Sequence, residues 1–424
     1  MNTRKAHLPG AVLIGLALSL IHAPAHADRR TSLAGNQLIK DRDDAFIYPQ
    51  AMLRYNQTLS LDYGASETDG NALLIAGNDK TAFGVALHRS DITVPLGGLF
   101  YLVKDIERGM LGGAPSLSPA AGVFDTSASI ADLMYAMRLG KNSLGFRLGF
   151  TSVGDISTPD GGKDSGNTGF GVRLSAGYSL AQKGDFVLDF SNTSGSSVAG
   201  DQSVREYSVI GVHLGGRYTV KTNKAKTFKM VALADVNFAH TSDTDLVTEG
   251  DPAKENQTIS LMAGFGPVYT TRDKKLKVAF HGTLGWIQNS DDPNTEVEKD
   301  GVSNNLIVFP GFNVALEYAI RDWLYFRSGA ISAFSLLSKS EESGNEQRTN
   351  GQSPLFGWNA GLGVKLDRFK FDATLNHGFI TNGPAILSGA QTGGMLALVS
   401  ATVDFGDASR VERVEAEAKG SKKD

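Results

Sequence analysis

Between Phe356 and Leu366 the chain alternates without a break. Phe356, Trp358, Ala360, Leu362, Val364 and Leu366 fall on one side, and Gly357, Asn359, Gly361, Gly363 and Lys365 on the other. Successive side chains of an extended chain point to opposite faces, so this period of two specifies a strand with one apolar face and excludes an amphipathic helix. The pattern recurs with Leu144, Phe146, Leu148 and Phe150 against Gly145, Arg147, Gly149 and Thr151, and with Phe170, Val172, Leu174, Ala176 and Tyr178 against Gly171, Arg173, Ser175 and Gly177. It returns in residues 228–238 and 276–286. Glycine, at 49 of 424 residues, is well above the usual level of roughly 7% and falls largely on the polar face.

A β-sandwich also alternates, so the choice of architecture rests on lengths. The alternating runs extend over about ten to fourteen residues, about twice the common strand length in globular proteins. Tight connections at Leu139–Asn142, Ala181–Gly184, Thr271–Lys274, Ile320–Asp322 and Leu366–Arg368 take turns with long polar segments, and aromatics such as Tyr178, Trp286, Trp323, Trp358 and Phe405 stand near strand ends. Together these predict an all-β fold: a transmembrane antiparallel up-and-down β-barrel of about 16 strands, with 14 as the alternative. The expected strands lie near residues 53–64, 70–77, 80–90, 127–139, 142–153, 168–180, 184–194, 204–220, 226–240, 257–270, 275–288, 304–320, 322–337, 355–366, 368–380 and 393–405. The two longest, 204–220 and 304–320, have room for bulges. An even count puts both termini on the periplasmic side.

The N-terminus supplies the compartment. Arg4 and Lys5 precede an apolar stretch from Ala11 to Ile21, and Ala25-His26-Ala27 is a small-x-small cleavage site, so residues 1–27 read as an export signal. Residues 28–50 then form an N-terminal periplasmic arm or a lumen plug, 51–405 the barrel, and 406–424 a charged periplasmic tail. The location expected is the outer membrane of a Gram-negative bacterium. Its lipid and lipopolysaccharide, and the barrel-assembly machinery during insertion, are the expected partners. A chain with no cysteine has no disulfide, thiolate metal site or cysteine nucleophile. A formal net charge of −4 argues against nucleic acid as a partner. The long connections carry acidic runs, among them Asp243, Asp245, Glu249 and Asp251, whereas the tight turns are basic, notably Lys221, Lys224, Lys226, Arg272, Lys274 and Lys275. The acidic runs lack the ligand spacing of an EF-hand, so no metal or other cofactor is expected.

The stretch Asp43-Asp44-Ala45-Phe46-Ile47-Tyr48-Pro49-Gln50-Ala51-Met52-Leu53 resembles the N-terminal segment of the FadL-type long-chain fatty-acid transporters, with Tyr48-Pro49-Gln50 standing where that family has Asn-Pro-Ala. Residues 71–91 and 131–152 resemble the hairpins that follow, and the likeness covers roughly residues 35 to 195. It implies that the N-terminal segment sits inside the barrel as a hatch, where Arg42, Asp43 and Asp44 pair with lumen charges. It also implies fourteen strands and an apolar solute.

Chemistry, if any, belongs to the lumen. The alternation turns Arg138, Arg147, Arg173, Arg217, Lys229, Asp235, Lys277, Lys365 and Asp372 inward, along with Asp132, Asp189, His213 and Glu317, as pore-lining residues or as pairs that brace the wall. Leu99, Leu102, Val103, Ile106 and Met110 have helical spacing within the long connection 91–125, suited to a constriction at the mouth. The histidines His88, His213, His240, His281 and His377 are dispersed, and neither a His-Glu-x-x-His pattern nor a Gly-x-Ser-x-Gly elbow occurs, so no catalytic residue is expected. The function expected is a channel or transporter for small solutes, hydrophobic ones included. The alternatives are a structural or assembly barrel with a filled lumen and, less favoured, a membrane-embedded lipid-modifying enzyme.

Overall fold

The computed structural model describes residues 29–63, 71–89, 129–157, 165–181, 183–199, 202–246, 254–292, 302–341, 349–375 and 396–405. The export signal, the helix expected within 91–125 and the charged tail lie outside these residues. Sixteen antiparallel strands form one closed barrel in chain order. They are β1 (Thr58–Tyr63), β2 (Asn71–Gly77), β3 (Thr81–Arg89), β4 (Ser129–Leu139), β5 (Asn142–Ser157), β6 (Ser165–Leu180), β7 (Gly184–Ala199) and β8 (Gln202–Thr222). The second half comprises β9 (Phe228–Asp245), β10 (Lys254–Thr270), β11 (Leu276–Asp292), β12 (Val302–Arg321), β13 (Leu324–Glu341), β14 (Thr349–Leu366), β15 (Phe369–Leu375) and β16 (Leu396–Asp404). The ring closes where β1 pairs with β16, from Thr58 opposite Asp404 to Tyr63 opposite Val399. Closure satisfies the backbone hydrogen bonds that an open sheet leaves free at its edges.

All sixteen expected strands form, so the fourteen strands implied by the FadL-type resemblance are not met. The bounds move in two directions. The first strand begins at Thr58 rather than near residue 53, because Pro49–Arg54 is a 3-10 turn whose Met52 and Leu53 are buried, and Gln57 adopts φ 62°, which breaks an extended chain. Elsewhere the ladders run into segments expected to be loops: Lys254 pairs with Asp243 and Val302 with Glu341. Hydrogen bonding continues there although the apolar alternation has stopped, since the ladder needs only backbone. Both long strands contain register shifts, between Thr219 and Lys221 in β8 and between Val308 and Gly311 in β12. The second accommodates Pro310, which has no N–H to donate.

The alternation decides what each face meets. Phe356 is 70% exposed and Phe83 61%, as outward residues of an apolar band, while their neighbours along the strand turn into the lumen. The lumen is not empty. Residues Arg29 to Tyr55 lie within it as two short helices, α1 (Arg29–Ser32) and α2 (Asp44–Ile47), followed by the 3-10 turn, and most of these residues are buried and the rest partly so. Inward glycines make this possible. A Cβ at Gly145 would overlap the backbone of Gln50, one at Gly329 the backbone of Leu33, and one at Gly361 the Ser32 hydroxyl. The glycine excess on the inner face therefore forms a bed on which another stretch of backbone rests.

Gly329→Val is expected to cost on the order of 1–3 kcal/mol of segment docking by overpacking. It should leave the barrel itself folded, because the clash is with the segment and not with the ladder. Gly282→Ala, whose Cβ would meet nothing nearer than 3.9 Å, should change nothing. Limited proteolysis near residues 29–55, alongside a heat-modifiable gel shift reporting the barrel, distinguishes the two.

Candidate functional site

The segment is tied to the wall on every side by polar groups. Asp44, with no exposed surface, accepts bonds from Arg30 of the segment and Arg217 of β8. Arg217 also reaches the Gln37 carbonyl at 2.9 Å and Asp185 at 3.0 Å, and its guanidinium lies 4.9 Å from the centre of the buried Tyr48 ring. Asp185 is a hub: Arg54, Lys40 (3.2 Å) and Arg217 converge on it. On the opposite wall Arg29 grips Glu317, which Arg327 also holds at 2.8 Å, and Arg327 continues to Asp372. Asn313 is sandwiched, accepting from Asn36 at 2.7 Å and donating to the Ala34 carbonyl at 2.8 Å. Asn359 donates to the Thr31 carbonyl at 2.9 Å, and Ser32 meets Thr374 at 2.9 Å. Near the closing seam, Arg42 bonds Ser60 and Thr402 and pairs with Asp62 at 3.3 Å and with Asp43 at 3.1 Å.

Buried charge is costly unless paired, and each of these groups has an opposite charge beside it, several across the interface between segment and wall. Burial by itself would raise the Asp44 carboxyl, but the Arg217 and Arg30 guanidiniums outweigh it and hold the carboxyl below the usual carboxylate range. Lys40 is pushed down to about 8 by burial and by the neighbouring Arg54, an effect that Asp185 only partly offsets.

Beside the segment the wall carries two kinds of surface. Across β5 to β10 runs a polar chain. Arg147 donates to the Phe46 carbonyl, to Ser175 at 3.0 Å and to Asp189 at 3.4 Å, and Arg173 pairs with Asp189 at 3.3 Å. His213 bridges Asp189 at 2.7 Å and Asp235 at 3.0 Å, and Asn237 donates to Asp235 and, at 3.1 Å, to Ser260. Besides the polar inward residues already named, β9 to β13 carry an apolar inward set. Val231, Leu233, Met262, Ile287, Leu306, Val308, Ile331 and Ala333 form one cluster with Leu33, Leu38 and Ile39 of the segment. A lumen made only to hold water is polar throughout; this one has further apolar patches, with Phe46, Met52 and Leu53 of the segment on Leu73, Ile75 and Met134 of β2 to β4.

The inward residues expected from the sequence separate by depth. Arg147, Arg173, Arg217, Asp235 and Asp372 join the networks just described. Lys277 stands opposite Glu317 in the register and is partly buried. Arg138, Lys229 and Lys365 share the inward phase but sit at the tight-turn ends of β4, β9 and β14, where they are exposed. Arg42, Asp43 and Asp44 all lie in the lumen segment, with Asp43 and Asp44 buried. Asp185, Arg327, Arg54 and Tyr48 were not singled out from the sequence. The phase of β7 carries Asp185 inward with Asp189, so alternation alone held that signal. Arg54 and Tyr48 belong to no periodic element and had none.

Asp44→Asn or Arg217→Met should release the segment by about 3–5 kcal/mol, the cost of leaving one buried charge unpaired. Because the chain has no cysteine, Ala45→Cys gives a background-free probe. Its maleimide labelling should be slow alone and much faster in combination with either variant.

No family model matches the chain, and no curated protein does. Among solved structures it is similar to the ferric yersiniabactin uptake receptor FyuA from Yersinia pestis, at 11% identity over 58% of this chain and 44% of that one, with a TM-score of 0.35. It is similar also to the alcaligin outer-membrane receptor FauA from Bordetella pertussis, at 8% identity over 75% and 59% with a TM-score of 0.37. A third is CdiB from Escherichia coli, at 13% identity over 82% and 62% with a TM-score of 0.35. The chain thus matches between 44% and 62% of the length of these structures, and none of the three is named as a fatty-acid transporter. Likeness at this level decides neither cargo nor mechanism, and what the chain can be said to be is the closed sixteen-strand antiparallel barrel with a segment folded into its lumen.

Proposed function

We propose that the protein is an outer-membrane transporter for small, largely apolar solutes, held closed at rest by residues 29–55. The observation that carries this reading is a lumen wall with buried apolar patches as well as buried charges, filled by the segment. The buried inward cluster of Leu233, Met262, Ile287, Leu306, Val308 and Ile331 packs on Leu33, Leu38 and Ile39 of the segment, and a polar chain runs beside it through Asp235 of β9. Once the segment uncovers them, these apolar inward residues would suit a solute that sheds water on entry. The outward apolar band and the closed ladder support a membrane setting, because strands of 16 to 21 residues such as β5 and β8 exceed the roughly ten needed to cross. In this reading the export signal at residues 1–27 and periplasmic termini follow, and the FadL-type resemblance supplies the apolar character of the cargo.

The segment's polar attachments give the gate its chemistry. On release these charges would meet water, while Leu33, Leu38, Ile39, Phe46 and Ile47 would lose their apolar partners.

Two measurements test the proposal. Refolded protein in planar bilayers should pass little ionic current, and deletion of residues 28–50 should produce stepwise conductance. Saturable binding of an apolar fluorescent ligand to the detergent-solubilised barrel should weaken at least about tenfold when Met262 and Leu306 are replaced by Asn, since each placed polar group costs about 1–3 kcal/mol in an apolar contact. Neither current after deletion nor ligand binding would favour a structural barrel with a permanently filled lumen.

A further inference from the structure

The tight-turn rim of the barrel carries a basic collar, and its densest part lies on two neighbouring turns. Lys221 stands at the end of β8, Lys224 and Lys226 belong to the β8–β9 connection and Arg272, Lys274 and Lys275 to the β10–β11 connection, and all six are exposed. The turns are adjacent in space as well as alike, because the Thr270 amide donates to the Thr227 carbonyl at 2.7 Å. The Ala319 amide in turn reaches the Lys275 carbonyl at 2.7 Å, which joins β12 to the same patch. The acidic residue within these two turns is Asp273, whose carboxylate is engaged locally by the Thr271 hydroxyl and the Lys275 amide. So much positive charge in one place is notable in a chain of net charge −4.

Directly beside the collar the outward face is aromatic. Phe228 stands opposite Tyr269 in the ladder, 36% and 46% exposed, one or two residues from the turns. Tyr318, 44% exposed, and Trp323, 50% exposed, continue the band on β12 and the turn that follows it. At about 3.3 Å per residue, the basic side chains begin within about 7 Å of these rings. Tyrosine and tryptophan settle at the polar boundary of a bilayer, so charges one step beyond them lie at the depth of lipid phosphates.

We propose that this collar binds the headgroups of anionic phospholipid in the leaflet that meets the tight turns. The inference rests on the reading that the barrel spans a membrane. A soluble acidic protein would need a broad face of roughly 800 Å² on its own side of an interface. The collar instead follows the edge of the apolar band, with side chains long enough to lay their stems on that band and their charges among phosphates. Six basic groups on one sector also give the barrel a fixed preference for which leaflet its tight turns face. Each basic group near an anionic surface contributes about fivefold in affinity at low ionic strength.

The test uses the full barrel in bilayers of equimolar phosphatidylcholine and phosphatidylglycerol, with Trp286 and Trp358 replaced by Phe so that Trp323, at the collar, is the remaining tryptophan of the three. Brominating one lipid at a time and reading Trp323 quenching gives the local lipid ratio. Phosphatidylglycerol should be enriched by about fivefold or more near Trp323, and high salt should abolish the enrichment by screening. Replacing all six basic residues should abolish it too, with Asn at 226 and 274 because Lys226 and Lys274 hold φ of 56° and 60°, and Gln elsewhere. A Lys→Arg version should keep it. Equal quenching by the two lipids in the otherwise unaltered protein, or enrichment that survives the six-site replacement, would overturn the inference. Should the six-site variant fail to fold, the salt dependence and the Lys→Arg version decide. Insertion into pure phosphatidylcholine, followed by the heat-modifiable gel shift, reports separately on the membrane-spanning reading. A barrel that inserts there and shows no lipid preference refutes the collar alone.

Discussion

Every other feature of the molecule depends on the pairing of β1 with β16. A sheet with its edges open would expose rows of unpaired amides and carbonyls, and in an apolar medium each would cost several kcal/mol. Closing the ring removes that cost and at the same stroke creates an inside. Once there is an inside, the two faces of each strand have different fates, and the period of two in the sequence becomes a division between an outer band and a lumen. The seam is made by two of the shorter strands, and Arg42 of the lumen segment reaches both of them through Ser60 and Thr402. The segment therefore crosses the junction from within, tying the first strand to the last.

The contents of the lumen follow from what the inner face lacks as much as from what it carries. Glycines at 145, 329 and 361 let a second stretch of backbone lie against the wall. Buried carboxylates and guanidiniums hold it there, with Asp44 and Asp185 as the two centres. Hydrophobic contacts secure one flank, where Leu33, Leu38 and Ile39 join the inward residues of β9 to β13. The combination differs from an ordinary protein core. Its apolar part is divided among separate patches, and many of its charged pairs join the segment to the wall.

How far the sequence could be read depended on periodicity. All sixteen strands were legible because an inward and an outward residue alternate wherever the strand meets an apolar medium, and the inward phase of Arg147, Arg173, Arg217, Asp235 and Asp372 followed from it. Strand ends beyond that band were not legible, since Lys254 and Asp243 pair through backbone groups that no side-chain pattern reports. The partners of the inward charges were equally hidden. Phase places Arg217 in the lumen, but its bonds to Asp44 and Gln37 join positions 173 and 180 residues apart. Alternation placed the glycines on the polar face without a purpose; the backbone of Gln50 against Gly145 supplies one at that place.

The sequence by itself therefore determined the fold class, the order of the strands and the face on which each strand residue lies, leaving the count between sixteen and fourteen, because these depend on local alternation and on the rule that no backbone group goes unpaired in an apolar medium. Only the tertiary structure decided that residues 29–55 occupy the lumen, which charges meet there, and which apolar patches of the inner wall the segment covers. Those facts arise from strands far apart in the chain brought around a common axis, and no window of sequence contains both halves of such a contact.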